Sequence, residues 1–157
     1  MNWFAHFFIG YMVTAIFVSN PSEHIVIIAF FSVFLDVDHL PGMYKLLTKR
    51  IDRKSMSLAE ESLLFRTPLQ EPIGLITIQI IIVLLHYAGF NTIILLLATI
   101  GIWTHWIIDL LTVYTRPLYP YNKRQYSLFF HNRKEKYYGE MIITTLSFIL
   151  FMAVYLM

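Results

Sequence analysis

The sequence predicts an all-α, polytopic membrane protein: a single helical domain over residues 1–157, with about five spans and two cytoplasmic loops. Three observations predict it. Hydrophobic residues make up 57% of the chain and charged residues 14%, far from the balance of a soluble domain. Apolar runs approaching the length of about 20 residues that a membrane helix needs recur along the chain. All twelve Lys and Arg residues fall in the two segments 41–71 and 114–138.

The first apolar run covers 3–19; no basic region precedes it and no small-residue cleavage site follows, so it is expected to be a retained span. It carries His6, with Gly10 one turn deeper on the same face. The second, 24–40, is expected to be partial or oblique, because Asp36 cuts it short in FLDVDHLPG. Asp36 and His39 share a helix face there, and Pro41 and Gly42 should loosen the last turn so that Asp38 swings inward. The third span, 72–88, starts at Pro72 with Glu71 just before it, a carboxylate at the positive end of the helix dipole. The fourth, 91–113, places His105 and Asp109 on one face, and the fifth is 139–157. Short turns with Pro, Gly and Asn join the first pair of spans and the third to the fourth. The long loop 41–71 reads as an amphipathic surface helix through Leu46, Leu47, Ile51 and Met56, and the loop 114–138 mixes aromatics with bases, as a headgroup-contacting segment does.

With five spans, both basic loops lie on one face, and the excess of positive charge places them and the amino terminus in the cytoplasm. Ionisable residues within apolar spans are expensive and mark functional positions. Here His6, Asp36, Asp38, His39, Glu71, His105 and Asp109 all fall in the cytoplasmic half, from four spans. Cysteine is absent, so any metal must use nitrogen and oxygen ligands. The set suits one or two divalent ions, zinc, manganese, magnesium or iron, and such an ion activates water near neutral pH. His24 and His86 lie near the opposite face and read as interfacial or packing residues; His131 reads as solvated. Gln79 and Thr77 read as interhelical glue.

In order along the chain, HFFIG (His6, Gly10), DVDH (Asp36, Asp38, His39), HWIID (His105, Asp109) and LLTVYTRPLYPY resemble the motifs of the YdjM-like family of membrane-bound, metal-dependent hydrolases. The resemblance covers nearly the whole chain. One motif departs: the family pattern HRGxTHS corresponds to FRTPLQE, which keeps Arg66 but has Phe65 and Gln70 where the pattern has histidines. Glu71 could replace a lost ligand with oxygen.

The resemblance implies a hydrolase with His6, Asp36, Asp38, His39, His105 and Asp109 holding the metal. Glu71 is then the candidate general base, and Arg66 the group that stabilises charge on a phosphoester. The expected substrate is a membrane lipid or lipid-linked compound at the cytoplasmic face, since basic groups at headgroup depth meet phosphates first. The competing readings are an ion transporter or metal-binding membrane protein, and a noncatalytic scaffold related to the hydrolases. An outer half nearly bare of ionisable groups weighs against transport. No nucleic-acid-binding pattern and no GxSxG nucleophile motif is present.

Overall fold

A computed structural model of the chain describes residues 2–49, 56–122 and 124–156, without the side chains of Asp38, Lys49 and Leu63. Among the described residues the chain is helical apart from loops and one isolated bridge between Thr115 and Tyr126. Helix α1 is Trp3–Phe17, started by the Asn2 side chain, which accepts hydrogen bonds from the Phe4 and Ala5 amides. A short 3-10 turn over Pro21–His24 leads into α2, Ile25–Val33. A second 3-10 turn, Phe34–His39, then leads into α3, Leu40–Lys49.

That second turn carries the acidic motif, and the chain does not leave the bundle at Pro41-Gly42 as the sequence suggests. Proline lacks only a donor that the first turn of a helix would leave unused, so Pro41 sits comfortably at the start of α3. The bend falls between the two helices, at 47°, and the pair passes together for a broken span. The expected amphipathic helix in 41–71 is two helices. The first is α3; the second is α4, Leu58–Phe65, opened by a capping box in which Ser57 and Glu60 satisfy each other's amides. Ile51 lies outside the described residues.

After a 3-10 turn at Pro68–Gln70, α5 runs over Pro72–Tyr87 and α6 over Thr92–Thr112, joined by a tight turn in which Gly89 takes φ 85°. Helix α7, Arg133–Tyr155, starts six residues before the expected fifth span, because Asn132 caps it by accepting from the Glu135 amide. Among the described residues two helices, α6 and α7, are long and apolar enough to cross a membrane, or three spans if the bent pair counts as one. The 15-residue α1 and 16-residue α5 are apolar but shorter. The large apolar side chains of α7 that stay exposed, among them Ile142, Leu146, Ile149 and Leu150, fit a lipid environment.

Helix α6 is central, packed against α1, α2 and α5, while α7 lies against α1. One apolar cluster joins Leu35, Leu75, Ile82, Leu95, Ala98 and Ile102; another joins Tyr11, Ile28, Leu97 and Phe151. Two glycines set the closeness of α2 to its neighbours. A Cβ on Gly10 would stand 2.1 Å from Ser32 Oγ, and one on Gly101 would stand 2.8 Å from the Phe31 carbonyl carbon. Gly10 therefore makes room for α2, and this approach puts the 34–39 turn against the polar face of α6.

Candidate metal centre

Three elements deliver the polar residues: α1 brings His6, the Phe34–His39 turn brings Asp36 and His39, and α6 brings His105 and Asp109. His6, Asp36, His105 and Asp109 are buried. Each of His6, Asp36 and His105 offers one ligand atom, and the three atoms lie within 4.8 Å of one another. The imidazoles of His6 and His105 stack with centroids 3.8 Å apart. Asp36 Oδ1 lies 3.5 Å from His105 Nε2 and 3.4 Å from His39 Nε2. Asp109 approaches both histidines, 3.4 Å from His6 Nε2 and 3.7 Å from His105 Nε2.

Hydrogen bonding fixes which nitrogens can accept a cation. His105 Nδ1 lies 2.7 Å from the Ser32 carbonyl oxygen, so this nitrogen must donate. In the neutral ring Nε2 then carries a lone pair, and it faces two carboxylates with no hydrogen-bond partner among the described residues. Neither ring nitrogen of His6, nor Asp36 Oδ2, has such a partner either. Buried polar atoms are almost always satisfied. A lone pair and carboxylate oxygens converging on one point are satisfied by a cation, and a histidine whose other nitrogen donates to a backbone carbonyl is the usual form of a metal ligand. The residues thus fit a divalent ion.

His39 is held differently. The Gln70 amide nitrogen donates to the Leu35 carbonyl at 2.9 Å, which fixes its orientation, and the same nitrogen lies 3.3 Å from His39 Nδ1. The Phe65 ring packs 5.8 Å from the His39 ring. Gln70 and Phe65 are the two positions at which FRTPLQE departs from the pattern it resembles, and both touch His39. The side chain of Asp38 lies outside the described residues.

Arg66, buried, donates from Nη1 to Asp109 Oδ2 at 3.0 Å and from Nη2 to the Gln70 carbonyl at 2.7 Å. Glu71 does not join the cluster. Its carboxylate accepts from the Arg116 amide and from Arg116 Nε, both at 3.0 Å, and stands 3.9 Å from Arg66 Nε. The sequence suggests Glu71 as a base or substitute ligand; in the fold its fully buried carboxylate is held by two N–H groups of Arg116. Arg116 is positioned by the Thr115–Tyr126 bridge, which folds the 114–138 loop back on itself. That pairing left no trace in the sequence, because α6 ends at Thr112 and helical periodicity does not extend to residue 116.

A cavity of about 450 Å³ lies beside the centre and is lined by His39, Arg66 and Asp109 together with residues of α3, α4 and α7. The remaining polar positions serve other purposes. His86 and His131 are exposed, and His24 is half-buried in the Pro21–His24 turn. Gln79 bridges α5 and α6 by accepting from Trp103 Nε1 at 3.0 Å, whereas Thr77 donates to Ile73 of its own helix. No family model, curated protein or solved structure matches the chain.

Proposed function

We propose that the protein is a membrane-bound, metal-dependent hydrolase that acts at the cytoplasmic membrane face on a phosphoester of a lipid or lipid-linked compound, as its resemblance to the YdjM-like family implies. The observation that carries the reading is the convergence of His6, Asp36 and His105 on one buried point, with the His105 lone pair turned toward carboxylates. These three residues would hold one divalent ion, zinc, manganese, magnesium or iron. Three protein ligands with an open position is the pattern of catalytic rather than structural sites. The ion, when bound, supplies Lewis-acid activation of water and of a phosphoryl oxygen.

The chain's own residues do the rest. Ser32, through its carbonyl, holds the His105 ring in one tautomer. Asp109 lies against both histidines and receives Arg66. Arg66 spends one Nη donor on Asp109 and another on Gln70, and it lines the cavity, so the second N–H of each Nη is left for an anionic phosphoester there. His39, on the cavity wall, carries a proton on Nε2 while Nδ1 accepts from Gln70. This favours one ion over two, since a nitrogen that bears a proton does not ligate. With five spans and both basic loops in the cytoplasm, as the charge pattern of the sequence suggests, the cavity would lie at headgroup depth on that side.

Elemental analysis after metal-supplemented purification tests the reading, together with release of phosphate or alcohol from phosphoester lipids. The expectation is about one divalent ion per chain in the wild type, lost in His105→Ala and Asp36→Ala along with hydrolysis. Wild type and variants with equal metal content would sink the proposal.

A further inference from the structure

We infer that the cavity beside the centre holds one hydrocarbon chain of a membrane amphiphile, with α3 as its apolar wall, so that the phosphoester reaches the centre sideways from lipid. The inference rests on the hydrolase reading and adds to it the route and the part of the substrate that is recognised.

The cavity changes character along its length. His39, Arg66 and Asp109 line it beside the cluster, while Met43, Leu46 and Leu47 of α3, Phe65 of α4 and Val113 form apolar wall. Its volume of about 450 Å³ lies within the range of small-molecule sites. A water-soluble phosphoester has nothing to place against three aliphatic side chains of one helix; a chain attached to the phosphoester does. Helix α3 also turns Leu40, Tyr44 and Leu47 outward, exposed by 60%, 69% and 78%, an arrangement that suits a helix lying in the bilayer interface. Leu47 thus belongs both to the cavity wall and to the outer apolar face, which makes the interior continuous with the surrounding lipid. Donors for a phosphate are present: Arg66 lies at the inner end, and Lys136 of α7 lines the same cavity. Of the cavity's three carboxylates, Asp109 is ion-paired to Arg66 at 3.0 Å and Glu61 to Arg133 at 2.9 Å; Glu140 is the third.

The experiment uses the full chain in phosphatidylcholine nanodiscs and measures binding of radiolabelled n-butyl phosphate and n-dodecyl phosphate, corrected for empty discs. Wild type should bind the dodecyl ester at least about tenfold tighter, because each methylene buried contributes about 0.8 kcal/mol. Leu46→Trp, which fills the cavity, and Leu47→Ser, which makes part of its wall polar, should each lower that preference severalfold. Leu150→Trp, on the exposed face of α7, should leave it unchanged. Equal affinity for the two esters, or a preference untouched by both cavity variants, overturns the chain site. A preference that persists in a wild type with no metal and no hydrolysis leaves the chain site standing and overturns the hydrolase reading. A metal-loaded, hydrolytic protein without the preference does the reverse.

Discussion

Arg66 and Asp109, 43 positions apart in sequence, form a buried ion pair at 3.0 Å, and Arg66 links the candidate metal cluster to the Glu71–Arg116 pair. The guanidinium reaches Asp109 with one nitrogen and stands 3.9 Å from Glu71 with another. Two charge systems that look separate along the chain are therefore mechanically joined.

This joint separates a structural Glu71 from a catalytic one. Removing one partner of a buried ion pair costs about 3–5 kcal/mol, because the other charge is left uncompensated. Glu71→Gln and Arg116→Ala should both lower thermal stability in detergent, and both lower metal content, since each displaces Arg66: the first removes its contact with Glu71, and the second leaves Glu71 to draw it away from Asp109. Loss of hydrolysis in Glu71→Gln at undiminished stability and metal content, with Arg116→Ala unaffected, would restore Glu71 as the base. Arg66→Met should be the most damaging of the three, as it strands Asp109.

The glycines give a second test, independent of charge. Gly101 faces backbone, the Phe31 carbonyl carbon at 2.8 Å, which cannot rotate away. Gly101→Ala should therefore destabilise by about 1–3 kcal/mol, as overpacking does. Gly10 faces the Ser32 hydroxyl, a group with freedom to turn. Gly10→Ala should cost less, and adding Ser32→Gly should recover most of the loss. Equal melting temperatures for the two alanine variants would show that α2 does not approach α6 as described.

Hydrogen exchange can read the capping box of α4. Bonds from the Ser57 amide and hydroxyl hold the Glu60 carboxylate below its ordinary value. A carboxyl group depressed in the folded state stabilises above its unfolded pKa and loses that contribution as pH falls through the folded value. Protection of the first α4 amides should be full at neutral pH and fall below the ordinary carboxylate range. Ser57→Ala should lose protection at every pH, with a cost of about 0.5–2 kcal/mol. Pattern and magnitude unchanged in the variant would refute the cap.

Orientation is checked with single cysteines in the cysteine-free chain. Ser22→Cys should react with an impermeant maleimide added outside, and Tyr121→Cys, at an almost fully exposed position, only after access to the cytoplasm is given. Reversal of the two would turn the centre to the outer face and remove the basis for a cytoplasmic substrate.

Much of the candidate centre is legible in the sequence. His105 and Asp109 share a face because four residues make one turn, and His6 and Asp36 stand out because ionisable groups in apolar runs are costly. Composition alone gave helices and membrane, and the Asn2, Ser57, Asn91 and Asn132 caps follow from residue types that favour helix starts.

Tertiary structure decided what those residues touch. The same carboxylate at residue 71 could have faced the cluster or Arg116; the fold of the 114–138 loop, a long-range contact with no local signature, put Arg116 in reach. Likewise Pro41 reads as a terminator, yet packing of α3 and α4 continued the chain as a bent helix and closed a cavity beside the centre. Sequence fixes residue chemistry and local periodicity because both are properties of neighbours along the chain. Where each lone pair points depends on helices brought together from far apart: only the fold set His105 Nδ1 on the Ser32 carbonyl and left Nε2 facing Asp36 and Asp109.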